Sequence, residues 1–148
     1  MKETPDAHRL ILDNYPHILT IETRYGDMDS YAHLNNSAIG RIYENSRAQL
    51  HMGIFDSTNF HRADSPAKTL LVETRTRFFA EGHYPGSVTL GTGIGRIGNS
   101  SYQIQQALFQ DGQCLGVCDA TMVYTVDGKP TALEGDLRLA FEKMLIKA

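Results

Sequence analysis

Arg24-Tyr25-Gly26-Asp27-Met28-Asp29-Ser30-Tyr31-Ala32-His33-Leu34-Asn35-Asn36 is a polar run set between two patterned segments. Before it, residues 17–25 (HILTIETRY) alternate, with Leu19, Ile21, Thr23 and Tyr25 on one side, so a strand is expected there. After it, Ala38, Ile39, Ile42, Tyr43 and Leu50 fall on one side of a helix from about Asn36 to Met52. Asn35 or Asn36 is a good N-cap for that helix, and Gly53 fits the residue just past its end. Gly40 weakens the helix by roughly 1 kcal/mol relative to alanine and is read as a point of close backbone approach.

Beyond the helix, residues 54–68 read as a loop with a possible short helix, and then strand signals dominate. Residues 69–79 alternate, with Leu71, Glu73, Arg75 and Arg77 on one side. Residues 87–97, 101–110 and 113–126 give three more strands, punctuated by Gly98-Asn99 and Asp111-Gly112 as hairpin signals. Leu137, Ala140, Phe141, Met144 and Leu145 then give the stripe of a short terminal helix, which Asp136 is placed to cap. One long helix with about five antiparallel strands makes a two-layer α+β domain over residues 1–148. The sheet buries one face on the helix, which leaves its other face or its edge for a second subunit.

Composition narrows the class. At 148 residues the chain can build a hydrophobic core without disulfides or a structural metal. A net charge of −3 and no Lys/Arg run argue against nucleic acid as a partner. No apolar stretch approaches the ~20 residues of a membrane helix, and MKETPDAHRL lacks the apolar core of a secretory signal. Cys114 and Cys118, if on one strand, stand ~13 Å apart, too far for a disulfide. A reducing, cytoplasmic setting is therefore expected. The six histidines show no metal-ligand spacing, and no serine sits in Gly-x-Ser-x-Gly. Gly91-Thr92-Gly93-Ile94-Gly95 alternates within a strand with no helix following, which fits bulging or close packing rather than a nucleotide loop.

Asp, Asn and Ser favour turns for local reasons, so on composition alone the polar run is a turn and a cap. Its position adds more. A helix N-terminus offers free N–H groups and the positive end of the helix dipole, able to hold the oxyanion that develops on an attacked carbonyl. A neighbouring carboxylate can act as nucleophile or as general base for water.

The run resembles the signature of hotdog-fold thioesterases of the 4-hydroxybenzoyl-CoA thioesterase type, matching at Arg24, Tyr25, Asp27, Asp29, His33, Asn35 and Asn36, with Tyr43, Glu44 and Arg47 on the following helix. Ile97-Gly98-Asn99-Ser100-Ser101 is similar to that family's hairpin, and the resemblance covers roughly residues 15 to 130. It implies a hotdog fold, an antiparallel sheet wrapped around one long central helix. It implies hydrolysis of an acyl-CoA thioester to free acid and CoA, with CoA part of the substrate and no cofactor or metal. The catalytic carboxylate maps to Asp29 and the oxyanion-donating backbone N–H to Asn36. It further implies a homodimer or homotetramer with the acyl pocket across the interface. Two departures stand out: Ala32 replaces the usual glycine before the histidine, and Ile39 stands where tyrosine is common. Both bear on substrate choice more than on reaction type.

Around these residues, Asp27, His33 and Asn35 are candidate substrate contacts. Asp27 alternatively holds the loop or pairs with Arg24, and His33 alternatively is a structural hydrogen-bonder. Arg75, Arg77 and Arg96 are candidate phosphate contacts for CoA, since guanidinium binds two oxygens at once. Glu44 and Glu73 are reserve carboxylates; for Glu44 and Arg47 the alternative is a helix ion pair, and for Glu73 a solvent-facing strand position. Two rival functions stay open: an acyl carrier protein as the acyl donor, or a hotdog protein that binds acyl-CoA without turnover.

Overall fold

A computed structural model describes residues 5–55 and 62–148. Strand β1 (His17–Glu22) leads to helix α1 (Asn36–Ile54), then β2 (Ala67–Phe78), β3 (Ser87–Ile97), β4 (Ser101–Gln110), β5 (Gln113–Val126), the two-residue β6 (Lys129–Pro130) and helix α2 (Gly135–Glu142). Every strand pairing is antiparallel, in the order β1-β3-β4-β5-β2, with β6 on β5. The sheet curls around α1, which is the expected α+β hotdog arrangement.

The helix forms where the apolar spacing placed it. Ala38, Ile39, Ile42, Tyr43, Ser46, Arg47, Leu50 and His51 are its buried residues. Its first turns pack Ile39, Ile42 and Tyr43, with Leu34, on Val88, Leu90, Leu108 and Leu115. Its last turns pack Leu50 on Ile94, Tyr102, Ile104 and Met122, closed by Phe141 of α2. On the opposite face of the sheet, Tyr15 covers Ala107, Phe109 and Val117, with Leu12 and Ile146 beside it. The N-terminal segment lies down there through Arg9, 4% exposed, whose Nη2 meets Asp119 Oδ1 at 2.8 Å.

Four details differ from the sequence reading. Helix α1 continues through Gly53 and ends at an extended Phe55, so Gly53 is not a left-handed cap; a Cβ there would meet Met144 Cε at 3.6 Å. Nothing lies within 4 Å of a Cβ built on Gly40, so no backbone approaches it. A bulge between Leu71 and Glu73 breaks the alternation of β2: Leu71 sits opposite Met122, on the helix side, while Glu73, Arg75 and Arg77 sit opposite Thr121, Asp119 and Val117 on the other face. Glu134, not Asp136, is the N-cap of α2. The short helix expected within 54–68 falls on residues 56–61, outside the described residues. Both cysteines lie on β5 and are free thiols.

The glycine-rich stretch of β3 is close packing. A Cβ on Gly91 would lie 2.5 Å from the Tyr15 ring, so only glycine lets the N-terminal segment rest on this strand. Replacing Gly91 with alanine forces Tyr15 aside and should cost about 1–3 kcal/mol, read from the denaturant midpoint. Ala32 presents the opposite mismatch, a side chain at φ 60°. The left-handed region costs an L-residue about 1–2 kcal/mol, partly offset by the greater unfolded-state entropy of glycine. Ala32→Gly should therefore raise stability by roughly 0.5–1 kcal/mol in the same assay.

Candidate active site

The loop is built from the end of β1 inward. Residues Tyr25–Asp27 make one 3-10 turn, held because Asp27 Oδ2 accepts from the Arg24 N–H at 3.0 Å while the Arg24 guanidinium reaches Oδ1 at 3.2 Å. Asp27 is 6% exposed, and its carbonyl accepts from the Asn35 N–H at 2.8 Å. This ties the start of the loop to the start of the helix.

Between these anchors Asp29 closes a tight turn. Its N–H donates to His33 O at 2.8 Å, and its carbonyl accepts from the Ala32 N–H at 3.1 Å. Its Oδ1 accepts from the N–H groups of Tyr31 at 2.9 Å and His33 at 3.3 Å. Oδ2 carries no hydrogen bond among the described residues. The carboxylate is thus oriented by one oxygen and open at the other. Leu34 N–H donates to Gly82 O at 2.8 Å and its side chain enters the core, which fixes the loop on the sheet.

The helix start is equally defined. Asn35 Oδ1 accepts from the Ser37 N–H at 2.7 Å, a side-chain N-cap, and Ile39 N–H bonds to Asn35 O. The Asn36 N–H has no partner among the described residues, and Asn36 is exposed. Polarity here is therefore one oriented carboxylate and one unsatisfied donor at the positive end of α1.

The remaining candidates separate. His33 Nε2 stands 2.9 Å from Glu81 Oε2 at the loop surface. Arg75 and Arg77 lie on β2, on the face of the sheet away from α1. Arg96 pairs with Gln103 on that same face but at the far end of β3. It is eight residues from Val88, which packs beside Leu34, so roughly 25 Å of strand separates Arg96 from the loop. Glu73 is exposed opposite Thr121. Ile39, where the resemblance has tyrosine, is buried in the core.

Glu44 and Arg47 do not form the helix ion pair. Glu44 is exposed, while Arg47 turns inward, 8% exposed, and donates to Gln106 Oε1 at 3.1 Å. Gln106 Nε2 in turn donates to Tyr43 O at 3.0 Å and Thr92 Oγ1 at 3.1 Å, and Ser46 Oγ meets Thr92 Oγ1 at 2.9 Å. Sequence reasoning missed this seam and Glu81. Gln106 had a signal: it is the one polar residue at an inward position among Tyr102, Ile104 and Leu108. Glu81 had none. Burial pushes the Cys118 thiol up, with Thr76 and Arg47 partly offsetting it, so this cysteine stays protonated and is a poor nucleophile. Among the described residues no group of three or more His, Cys, Asp or Glu could hold a metal ion, and no helix is long and apolar enough to cross a membrane.

Known structures share this architecture. A Pseudomonas aeruginosa strain PAO1 protein is 25% identical, with 93% of this chain and 96% of that one covered and a TM-score of 0.78. A predicted thioesterase of Bacillus stearothermophilus is 20% identical, covering 88% and 97%, with a TM-score of 0.77. A thioesterase of Thermus thermophilus, solved with coenzyme A and Zn, is 15% identical, covering 89% and 96%, also with a TM-score of 0.77. No curated protein matches the sequence. A family model matches residues 23–141, from the segment that braces Asp27 to the last helix. The chain belongs to the thioesterase-like superfamily.

Proposed function

We propose that this protein hydrolyses an acyl-CoA thioester to free acid and CoA, with Asp29 as the reacting carboxylate and the Asn36 N–H as oxyanion donor. The observation that carries this reading is the pairing of an Asp29 carboxylate pinned through Oδ1 and open at Oδ2 with an unsatisfied N–H at the start of α1. With the carbonyl oxygen at that N–H, developing negative charge meets a donor and the helix dipole. Asp29 then either attacks the carbonyl carbon, expelling thiolate and leaving an anhydride that water cleaves, or takes a proton from the attacking water. Thiolate is a good leaving group, so neither route calls for a metal or redox cofactor. The solved relative holding coenzyme A supports CoA as the carrier.

In this reading Asp27 and Asn35 hold the loop, while His33, paired with Glu81, stands at its mouth. Arg75 and Arg77 take CoA phosphates on the outer face of β2. Arg96 serves the same nucleotide only across a subunit boundary. A homodimer follows from the edge of the sheet. β2 has no neighbour on its outer side among the described residues, and Leu70, Leu71 and Val72 are 50%, 52% and 63% exposed there. An unpaired apolar edge is a template for a second strand, and two copies of β2 related by a two-fold axis pair antiparallel. A cytoplasmic location fits the two free thiols.

Thiol release from a panel of acyl-CoA and acyl-carrier-protein esters tests the activity. Asp29→Asn should lower kcat/KM on the best substrate by about 10²–10⁴-fold, and wild-type rates in this variant would refute the assignment. Binding without turnover would instead make the protein an acyl-CoA sensor. Light scattering should give at least twice the 16.5 kDa chain mass, and Val72→Lys, which puts a charge on the β2 edge, should shift the protein toward monomer.

A further inference from the structure

Arg47 is 8% exposed, and both groups it meets, Gln106 Oε1 and Cys118 Sγ, are uncharged. Among the described residues no carboxylate lies within ion-pair distance of it. Holding a guanidinium out of water without a counter-charge is unfavourable, and a residue that only filled this space would be apolar.

Two depressions meet at this side chain along the seam between α1 and β2. One, of about 280 Å³, runs from Ser37 past Gly40 and Leu71 to Arg47. The other, of about 480 Å³, continues from Arg47 over Met122 to Lys68. Together they form a groove that starts beside the open N–H of Asn36. Ten residues of helix separate Ser37 from Arg47, about 15 Å. Gly40 keeps the way clear, since nothing lies within 4 Å of a Cβ built there. Among the described residues lining the groove Glu44 is the one acid, and it is exposed.

We infer that the groove receives the acyl chain and that Arg47 selects chains bearing an acceptor oxygen (hydroxyl, oxo or carboxylate) remote from the thioester. This rests on the thioesterase reading above. A plain hydrocarbon chain laid over Arg47 strips water from the guanidinium and returns no hydrogen bond. An oxygen at that depth returns a charge-assisted one, and a site built to bond a substrate oxygen discriminates strongly against the analogue that lacks it.

The test compares matched CoA esters of equal chain length: plain, hydroxylated, oxo, and ending in a second carboxyl. An oxygenated ester should exceed the plain one in kcat/KM by about tenfold or more, chiefly through KM, and the best of the three identifies the acceptor. Arg47→Met should bring that ratio close to one, and Arg47→Lys should restore part of it. Equal rates across the wild-type panel overturn the proposal. So does an Arg47→Met variant that slows all esters by the same factor, the signature of a residue that only supports the fold. Should Arg47→Met fail to fold, the wild-type ratios decide the selection. Gly40→Leu, on an open helix surface, then tests the groove by disfavouring long chains relative to short ones. If no ester releases thiol, the hydrolysis reading has failed. Calorimetry with the intact CoA esters then decides on Arg47 alone: tighter binding of the oxygenated esters in the wild type supports it, and equal affinities overturn it.

Discussion

The whole arrangement hangs on one burial. Helix α1 presents a stripe of apolar side chains along nineteen residues, and the sheet has one face curved to take it. Removing that surface from water is the dominant favourable term in a fold of this kind. Strands β3, β4 and β5 supply the residues packed on it, and β1 and β2 take the flanks. The loop between β1 and α1 must span from the flank of the sheet to the end of a helix lying over its centre. Every hydrogen bond inside the loop serves that crossing.

This is why the candidate site is rigid rather than merely polar. Asp27 commits its carboxylate to Arg24 and its carbonyl to Asn35, and Leu34 is clamped to Gly82. What remains after these obligations is small: one carboxylate oxygen of Asp29 and one backbone donor at Asn36. Ala32 sits in a left-handed conformation within this turn.

Much of this was legible in the sequence, for local reasons. Strands β3, β4 and β5 begin and end where alternation and the Asp-Gly and Gly-Asn turns place them, because a hairpin is specified by residues close in the chain. Asn35 as N-cap is likewise a local fact. What escaped was set by distant partners. The bulge after Leu71 moves Arg75 and Arg77 to the outer face, and nothing near Val72 announces it. Gly53 looked like a helix end, yet the helix runs on through it to Ile54, where it packs toward Met144 some ninety residues later. Arg47 looked like half of a surface ion pair, yet its partner is Gln106 on β4. Tyr15 and Arg9 escaped as well, because they acquire meaning only against Gly91 and Asp119.

The hydrogen-bonded seam of Ser46, Thr92, Gln106 and Tyr43 has a mechanical consequence. Apolar contact is non-directional, so a greasy stripe by itself would tolerate a helix that slides or rolls in its trough. Hydrogen bonds are directional, and a slip of one helical turn, about 5.4 Å, would sever every bond between α1 and the Thr92–Gln106 pair at once. The seam acts as a key in a keyway. It fixes both depth and rotation of α1, so the helix becomes a ruler, with its open amide at zero and a guanidinium three turns along the scale.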